Sequence, residues 1–217
     1  MKPLSPVRQD FFVAIAMLLL CSAGTAQASG FGGYFEYGSV DGEIELFSGG
    51  AGDVDFDANQ FGVGFVYDSN LAGDSLFNYR GTFGYRASEH TFDTVLGDLE
   101  LDADGFEMNH LFGFGIVRTD SMRIFIGPAI RIGVDVFDTV SGVDLVNVDF
   151  GIGPEIGVNL HLSEHLTLSP WVSYQYHYLV QSVDIDGLGN DAFSGSEHVV
   201  KVGMSIFFRT ADDQYRR

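Results

Sequence analysis

The sequence is poor in everything that would cross-link it or carry it through a bilayer as a helix. Its only cysteine is Cys21, and beyond residue 28 there is one lysine, Lys201, and one tryptophan, Trp171. With Cys21 in the N-terminal segment, no disulfide is available to the body of the chain. Proline is limited to five residues, so long extended runs are uninterrupted. Past the N-terminal segment no stretch of about eighteen apolar residues occurs, which excludes a membrane-spanning helix. Basic side chains are also few, 11 Lys and Arg against 30 Asp and Glu, for a formal charge of −19. Phosphate backbones need a basic footprint, so nucleic acid is not an expected partner.

What is present at the N-terminus is a targeting pattern. Lys2 and Arg8 give a positive start, Phe11–Leu20 is a ten-residue apolar core, and Ala26-Gln27-Ala28 is an A-x-A cleavage site. Residues 1–28 are therefore read as a cleaved signal peptide. Leu20 before Cys21 is not the small residue that a lipoprotein site needs. The expected mature chain loses Lys2, Arg8 and Asp10, leaving 9 basic and 29 acidic residues, and 9 − 29 = −20.

The mature chain alternates. From Val146 to Leu162 the even positions are apolar (Val148, Phe150, Ile152, Ile156, Val158, Leu160), while Asp149, Gly151, Glu155, Asn159 and His161 lie between them. After Ser163-Glu164-His165 the pattern resumes from Leu166 to Val180. Period two means strand, and two such runs joined by three residues mean an antiparallel hairpin. Six more runs read the same way: Gly30–Val40, Phe56–Tyr67, Ser75–Ala87, Gly105–Val117, Met122–Phe137 and Ser196–Phe208. The connections alternate between long (Asp41–Asp55, Ser88–Asp104, Gln181–Gly195; Asp138–Leu145 is moderate) and short (Asp68–Asp74, Arg118–Ser121, Ser163–His165). The charged strand residues Glu36, Arg80, Arg86, Glu107, Arg131, Asp135, Glu155 and Lys201 all fall opposite the apolar set. A soluble sandwich would turn the apolar set inward. A transmembrane barrel turns it to lipid and keeps charge in the lumen, where mid-depth lipid exposure of a charge would cost several kcal/mol. The expected fold is thus all-β, an eight-stranded antiparallel up-and-down transmembrane β-barrel over residues 29–208. A short polar tail follows at 209–217, and the termini lie on the periplasmic side.

The signal, the hairpin LHLSEHLTLSPWVSYQYHY over 160–178 and the closing run VVKVGMSIFF make the chain resemble the small eight-stranded outer-membrane barrels of the OmpA/OmpX type. The resemblance implies an outer membrane of a Gram-negative bacterium, with outer-membrane lipid and lipopolysaccharide as surroundings. It also implies that the barrel-assembly machinery reads an aromatic-ending last strand, here Val200, Val202, Met204, Ile206 and Phe208. The nine residues after Phe208 depart from the family, whose aromatic usually ends the domain.

Three sets of residues are candidates for chemistry. In the lumen, an index sum of 286 across the fifth and sixth strands pairs Arg131 with Glu155. A sum of 193 across the third and fourth pairs Arg86 with Glu107, and Glu36 and Lys201 share a height where the first and last strands meet. Packing is the expected role of these charges, because buried charges need partners, and eight strands leave room for side chains rather than a channel. The acidic loops hold Asp41, Glu43, Glu45, Asp53, Asp55, Glu89, Asp93, Asp98, Glu100, Asp102 and Asp104. Glu100-Leu101-Asp102-Ala103-Asp104-Gly105 opens like a calcium loop, but its twelfth position is Leu111 rather than Glu, so no metal site is read there. Alternating acids fit strands continuing past the membrane, and divalent ions bridging them to lipopolysaccharide fit the charge. Last, Ser196 and His198 sit on the lipid face near the outer rim, where lipid A deacylases and acyltransferases of this fold keep His and Ser. The His-x-Ser-Asn run of the deacylases is missing. His177 and Trp171 have inward parity. The function expected is a non-enzymatic envelope barrel with acidic extracellular segments for surface interaction, an extracellular ligand or membrane integrity. A lipid A-modifying rim enzyme and a narrow pore for small solutes are the alternatives. No cofactor is implied.

Overall fold

A computed structural model describes residues 29–45, 53–71, 75–94, 97–139, 143–185 and 189–209. The expected signal segment 1–28 and most of the tail lie outside the described residues. Eight strands follow one another: β1 Gly30–Glu45, β2 Asp53–Asp68, β3 Phe77–Thr94, β4 Gly97–Arg118, β5 Met122–Phe137, β6 Val143–His161, β7 Leu166–Ile185 and β8 Gly189–Arg209. Each pairs antiparallel with the next, and β8 pairs with β1, closing the ring. Following the register once around from Gly81 on β3 returns to Thr91 on the same strand, 91 − 81 = 10 residues further on. A stagger of that size tilts the strands by roughly 40°. One irregularity breaks the ladder, a register shift between Gly115 and Val117 on β4.

The alternation sorts the side chains. Large apolar residues such as Phe35, Phe65, Phe106, Phe150, Tyr176 and Val202 point outward and are exposed, Phe65 to 77%. Neighbouring strands match aromatic with aromatic on this face: Phe83 stacks on Phe106 and Phe77 meets Phe114 edge-on. Cross-strand aromatic pairs of this kind hold a sheet's register.

The interior is layered. Read along β7 from the turn end, Thr167, Ser169, Trp171, Ser173, Gln175, His177, Leu179 and Gln181 point inward, and all are buried. Nearest the termini, Leu71 from the β2–β3 connection packs with Tyr34, Val66 and Phe207. Arg123 clamps that connection by donating to the carbonyls of Asn70, Ser75 and Leu76. The middle is ionic. At the loop end Val40, Ile44, Phe56, Ala58, Phe92, Ala103, Phe137, Leu179 and Val199 form an apolar core.

Two expectations need correction. The strands are longer at the loop end than the sequence suggested, so most of the long loops are strand: β1 runs to Glu45, β2 starts at Asp53, β3 reaches Thr94 and β4 begins at Gly97. The reason lies in the same alternation, with Ile44, Phe56 and Phe92 inward and acids outward, which carries a two-sided ladder beyond the apolar belt. The registers also differ by a small slide. Arg131 pairs with Gly151 and Glu155 with Gly127, a sum of 282 rather than 286. Arg86 pairs with Gly105 and Glu107 with Gly84, a sum of 191 rather than 193. An even slide leaves every residue on its face, so facing alone does not distinguish these registers.

Candidate functional site

The lumen gathers charge because each strand contributes an inward polar residue where its outward neighbours are apolar. Glu36, Arg80, Arg86, Glu107, Arg131, Asp135, Glu155 and Lys201 all lie inside the barrel and are at most 3% exposed. Arg131 reaches from β5 across to Glu36 on β1, at 2.7 Å from Oε1, and to Glu107 on β4 at 2.7 Å. Lys201 donates to the same two carboxylates at 2.7 and 2.9 Å. Two cations and two carboxylates thus form a closed square joining β1, β4, β5 and β8. Glu155 is not part of it. Its partner is Asn109, which donates from Nδ2 at 3.1 Å, so the Arg131–Glu155 pair expected from the sequence gives way to Arg131 with Glu36 and Glu107.

Toward the loop end, Arg86 binds Asp135 and Asp149 through its guanidinium and has Glu107 Oε2 at 3.7 Å. Toward the termini, Arg80 donates to Asp68, to Ser169 Oγ at 3.0 Å and to Asn159 Oδ1 at 2.8 Å, lying over the rings of Phe125 and Phe207. These side chains bridge opposite walls, so the lumen is crossed at several levels by ion pairs and hydrogen bonds. Glycines make room for them. A methyl group at Gly133 would overlap the Asp149 carboxylate, and one at Gly151 the His177 ring.

Four charged residues beyond the eight named from the sequence are also buried in the barrel: Asp68, Arg123, Asp149 and Glu197. Asp149 and Glu197 carry the inward parity that marks the others, and parity alone would have found them. With them the described interior holds seven carboxylates (Glu36, Asp68, Glu107, Asp135, Asp149, Glu155, Glu197) against five fixed cations (Arg80, Arg86, Arg123, Arg131, Lys201). His177 adds a titratable base, its Nδ1 lying 3.0 Å from Asp149 Oδ1 and 3.1 Å from Glu197 Oε1.

Outside, His198 is exposed on β8, bonded through Nδ1 to Tyr174 Oη at 2.7 Å and edge-on to Tyr176. Ser196 lies one outward step further along β8, and Glu197 between them points into the lumen. The acids Glu100, Asp102 and Asp104 project outward from β4 as part of a strand, not around a loop. Val200, Val202, Met204, Ile206 and Phe208 share the outward face of β8, Phe208 at its turn end.

No protein-family model matches the chain, and no curated protein matches it. Among solved structures, the outer membrane protein OprG from Pseudomonas aeruginosa superposes with a TM-score of 0.58 at 14% identity, over 84% of this chain and 96% of that one. The fold is that of the small eight-stranded outer-membrane barrels. AlkL, an outer membrane protein whose structure was determined in DMPC lipid bilayers, gives a TM-score of 0.49 at 14% identity over 88% of this chain and 94% of its own. A major outer membrane protein from Thermus thermophilus gives 0.43 at 13% identity, over 82% and 99%.

Proposed function

We propose that the chain is an outer-membrane barrel of the cell envelope that acts through its surface, without enzymatic chemistry, by way of an acidic collar on the extracellular side. The observation that carries this reading is the outward face itself. Exposed aromatic and aliphatic side chains encircle the barrel, and above them every outward acid of β1–β4 is solvent-exposed. Such a belt suits lipid, with the lumen charges kept from it. The collar puts carboxylates directly opposite carboxylates: Asp41 with Asp57, Glu43 with Asp55, Glu45 with Asp53, Glu89 with Asp102 and Asp93 with Asp98. Divalent cations shared with lipopolysaccharide, or a cationic extracellular ligand, would relieve that repulsion. Insertion would pass through the barrel-assembly machinery, with Val200, Val202, Met204, Ile206 and Phe208 as the signal it reads.

The rim-enzyme alternative has less support. His198 is held by Tyr174, and its neighbour Glu197 faces the other way. The narrow pore has less support too, since ion pairs cross the lumen.

Impermeant maleimide should label Glu43→Cys on intact cells and Thr119→Cys only after permeabilisation, and the unboiled protein should run apart from the boiled one on a gel. Absence of both the gel shift and surface labelling would remove the membrane assignment. A change in lipid A mass on expression of the protein would replace the non-enzymatic reading with the rim enzyme.

A further inference from the structure

Asp149 on β6, His177 on β7 and Glu197 on β8 bring three ligand atoms within 4.8 Å of one another, all from buried side chains. The two carboxylate oxygens approach the same imidazole nitrogen, Nδ1, at 3.0 and 3.1 Å. Distances of that size fit a shared proton. They also fit the edges of a coordination polyhedron with bonds of about 2.0–2.2 Å, as zinc makes to nitrogen and carboxylate oxygen.

A chain of hydrogen bonds fixes the far side of the ring. Asn109 donates from Nδ2 to Glu155 Oε2 at 3.1 Å. Asn109 then presents Oδ1 to Gln175 Nε2 at 3.4 Å. That leaves Gln175 Oε1 facing His177 Nε2 at 3.1 Å. Read in sequence, Nε2 donates to Gln175, and Nδ1 is the ring nitrogen turned to the two carboxylates. Three donor atoms so placed need positive charge among them, as a proton on Nδ1 or as a metal ion. A hydrogen bond on the far nitrogen is also how metal-binding histidines are oriented. Arg86 engages the other oxygen of Asp149, Oδ2, leaving Oδ1 for the triad. The described interior has two more carboxylates than fixed cations, so added positive charge is accommodated.

We propose that Asp149, His177 and Glu197 bind one divalent first-row metal ion of the zinc class inside the lumen, with Gln175 positioning the histidine. The nitrogen and two oxygen donors suit such ions. The site rests on this chain's lumen alone and holds whether or not the collar binds anything.

The triad lies beneath the apolar core of the loop end, so the ion is supplied during folding. The mature chain is refolded from denaturant into detergent micelles with Co²⁺, with Zn²⁺ or with EDTA. Gel mobility confirms closure, and excess metal is removed by desalting. The expected result is one retained equivalent, visible Co²⁺ absorption bands, and a higher unfolding midpoint with Zn²⁺ than with EDTA. Glu197→Gln should lose the bands while still folding. Gln175→Leu should weaken metal retention by about 10-fold or more without removing a ligand. A folded wild-type barrel that retains no metal, and whose midpoint ignores Zn²⁺, would overturn the site and leave the three side chains as a hydrogen-bonded cluster. Retention unchanged in Glu197→Gln, or in His177→Ala where that variant folds, would place the ion elsewhere and overturn it as well.

Discussion

The carboxylates of this barrel live in two populations. In the collar, acids face acids across β1–β2 and β3–β4, all of them exposed. In the lumen, Glu36 and Glu107 each meet both Arg131 and Lys201, and Asp135 and Asp149 meet Arg86. Water screens the first arrangement, so repulsion there costs little. The second is cut off from solvent, and a carboxylate without a partner would be expensive. The same side chain is therefore placed by two different rules, and substitutions should separate them.

The largest effect is expected at Arg86, whose loss takes the guanidinium from Asp135 and Asp149 and leaves Asp149 with His177 alone. Arg86→Met should cost about 3–5 kcal/mol in urea unfolding, as for a broken buried pair. A loss below about 1 kcal/mol would mean that water reaches these groups. Arg131→Met should cost somewhat less, because Lys201 still serves Glu36 and Glu107. In a double-mutant cycle, Glu36→Gln should recover part of the Arg131→Met loss, whereas Glu155→Gln should be close to additive with it. Coupling to Glu155 stronger than to Glu36 would restore the register with sum 286 and contradict the structure.

Next in size is the outward belt. Ile126→Arg places a charge on the apolar face and should destabilise the protein in bilayers by about 2–4 kcal/mol. An equal stability of variant and parent in vesicles would argue that this face meets water.

The smallest effect is expected in the collar. Glu43→Lys turns the Glu43–Asp55 pair into an attractive one and should stabilise by about 0.2–1 kcal/mol, fading as salt is raised. Destabilisation at low salt would show that the collar's negative charge is held for a bound cation.

The facing of residues was legible from the sequence because β-strand parity needs no knowledge of partners. Every one of the eight lumen charges named from alternation lies inside the ring, and Asp149 and Glu197 obey the same parity. Partnership was less legible. Arg131 reaches Glu36 on a strand nearly a hundred residues away in sequence and not adjacent to its own, a contact that exists only because the sheet closes. Long arginine side chains also span diagonals, so a residue directly opposite is not always the one bonded. The strand ends were hidden for a related reason: acids alternating with Ile44 or Phe56 look like loop composition until an apolar core above the ionic layers is known to need covering.

The β2–β3 connection has a consequence for the order in which the barrel can be completed. Leu71 is seated against Tyr34 of β1 and Phe207 of β8 together, and a methyl group at Gly30 would overlap its side chain. Its seat is made by the first and last strands, so it comes into being only when the seam between them is shut. Leu71 therefore behaves as a latch that drops after the wall has closed. A thiol placed at position 71 should be shielded from reagent in the finished barrel and reactive in any form whose seam is still open, giving a chemical clock for the final step of assembly.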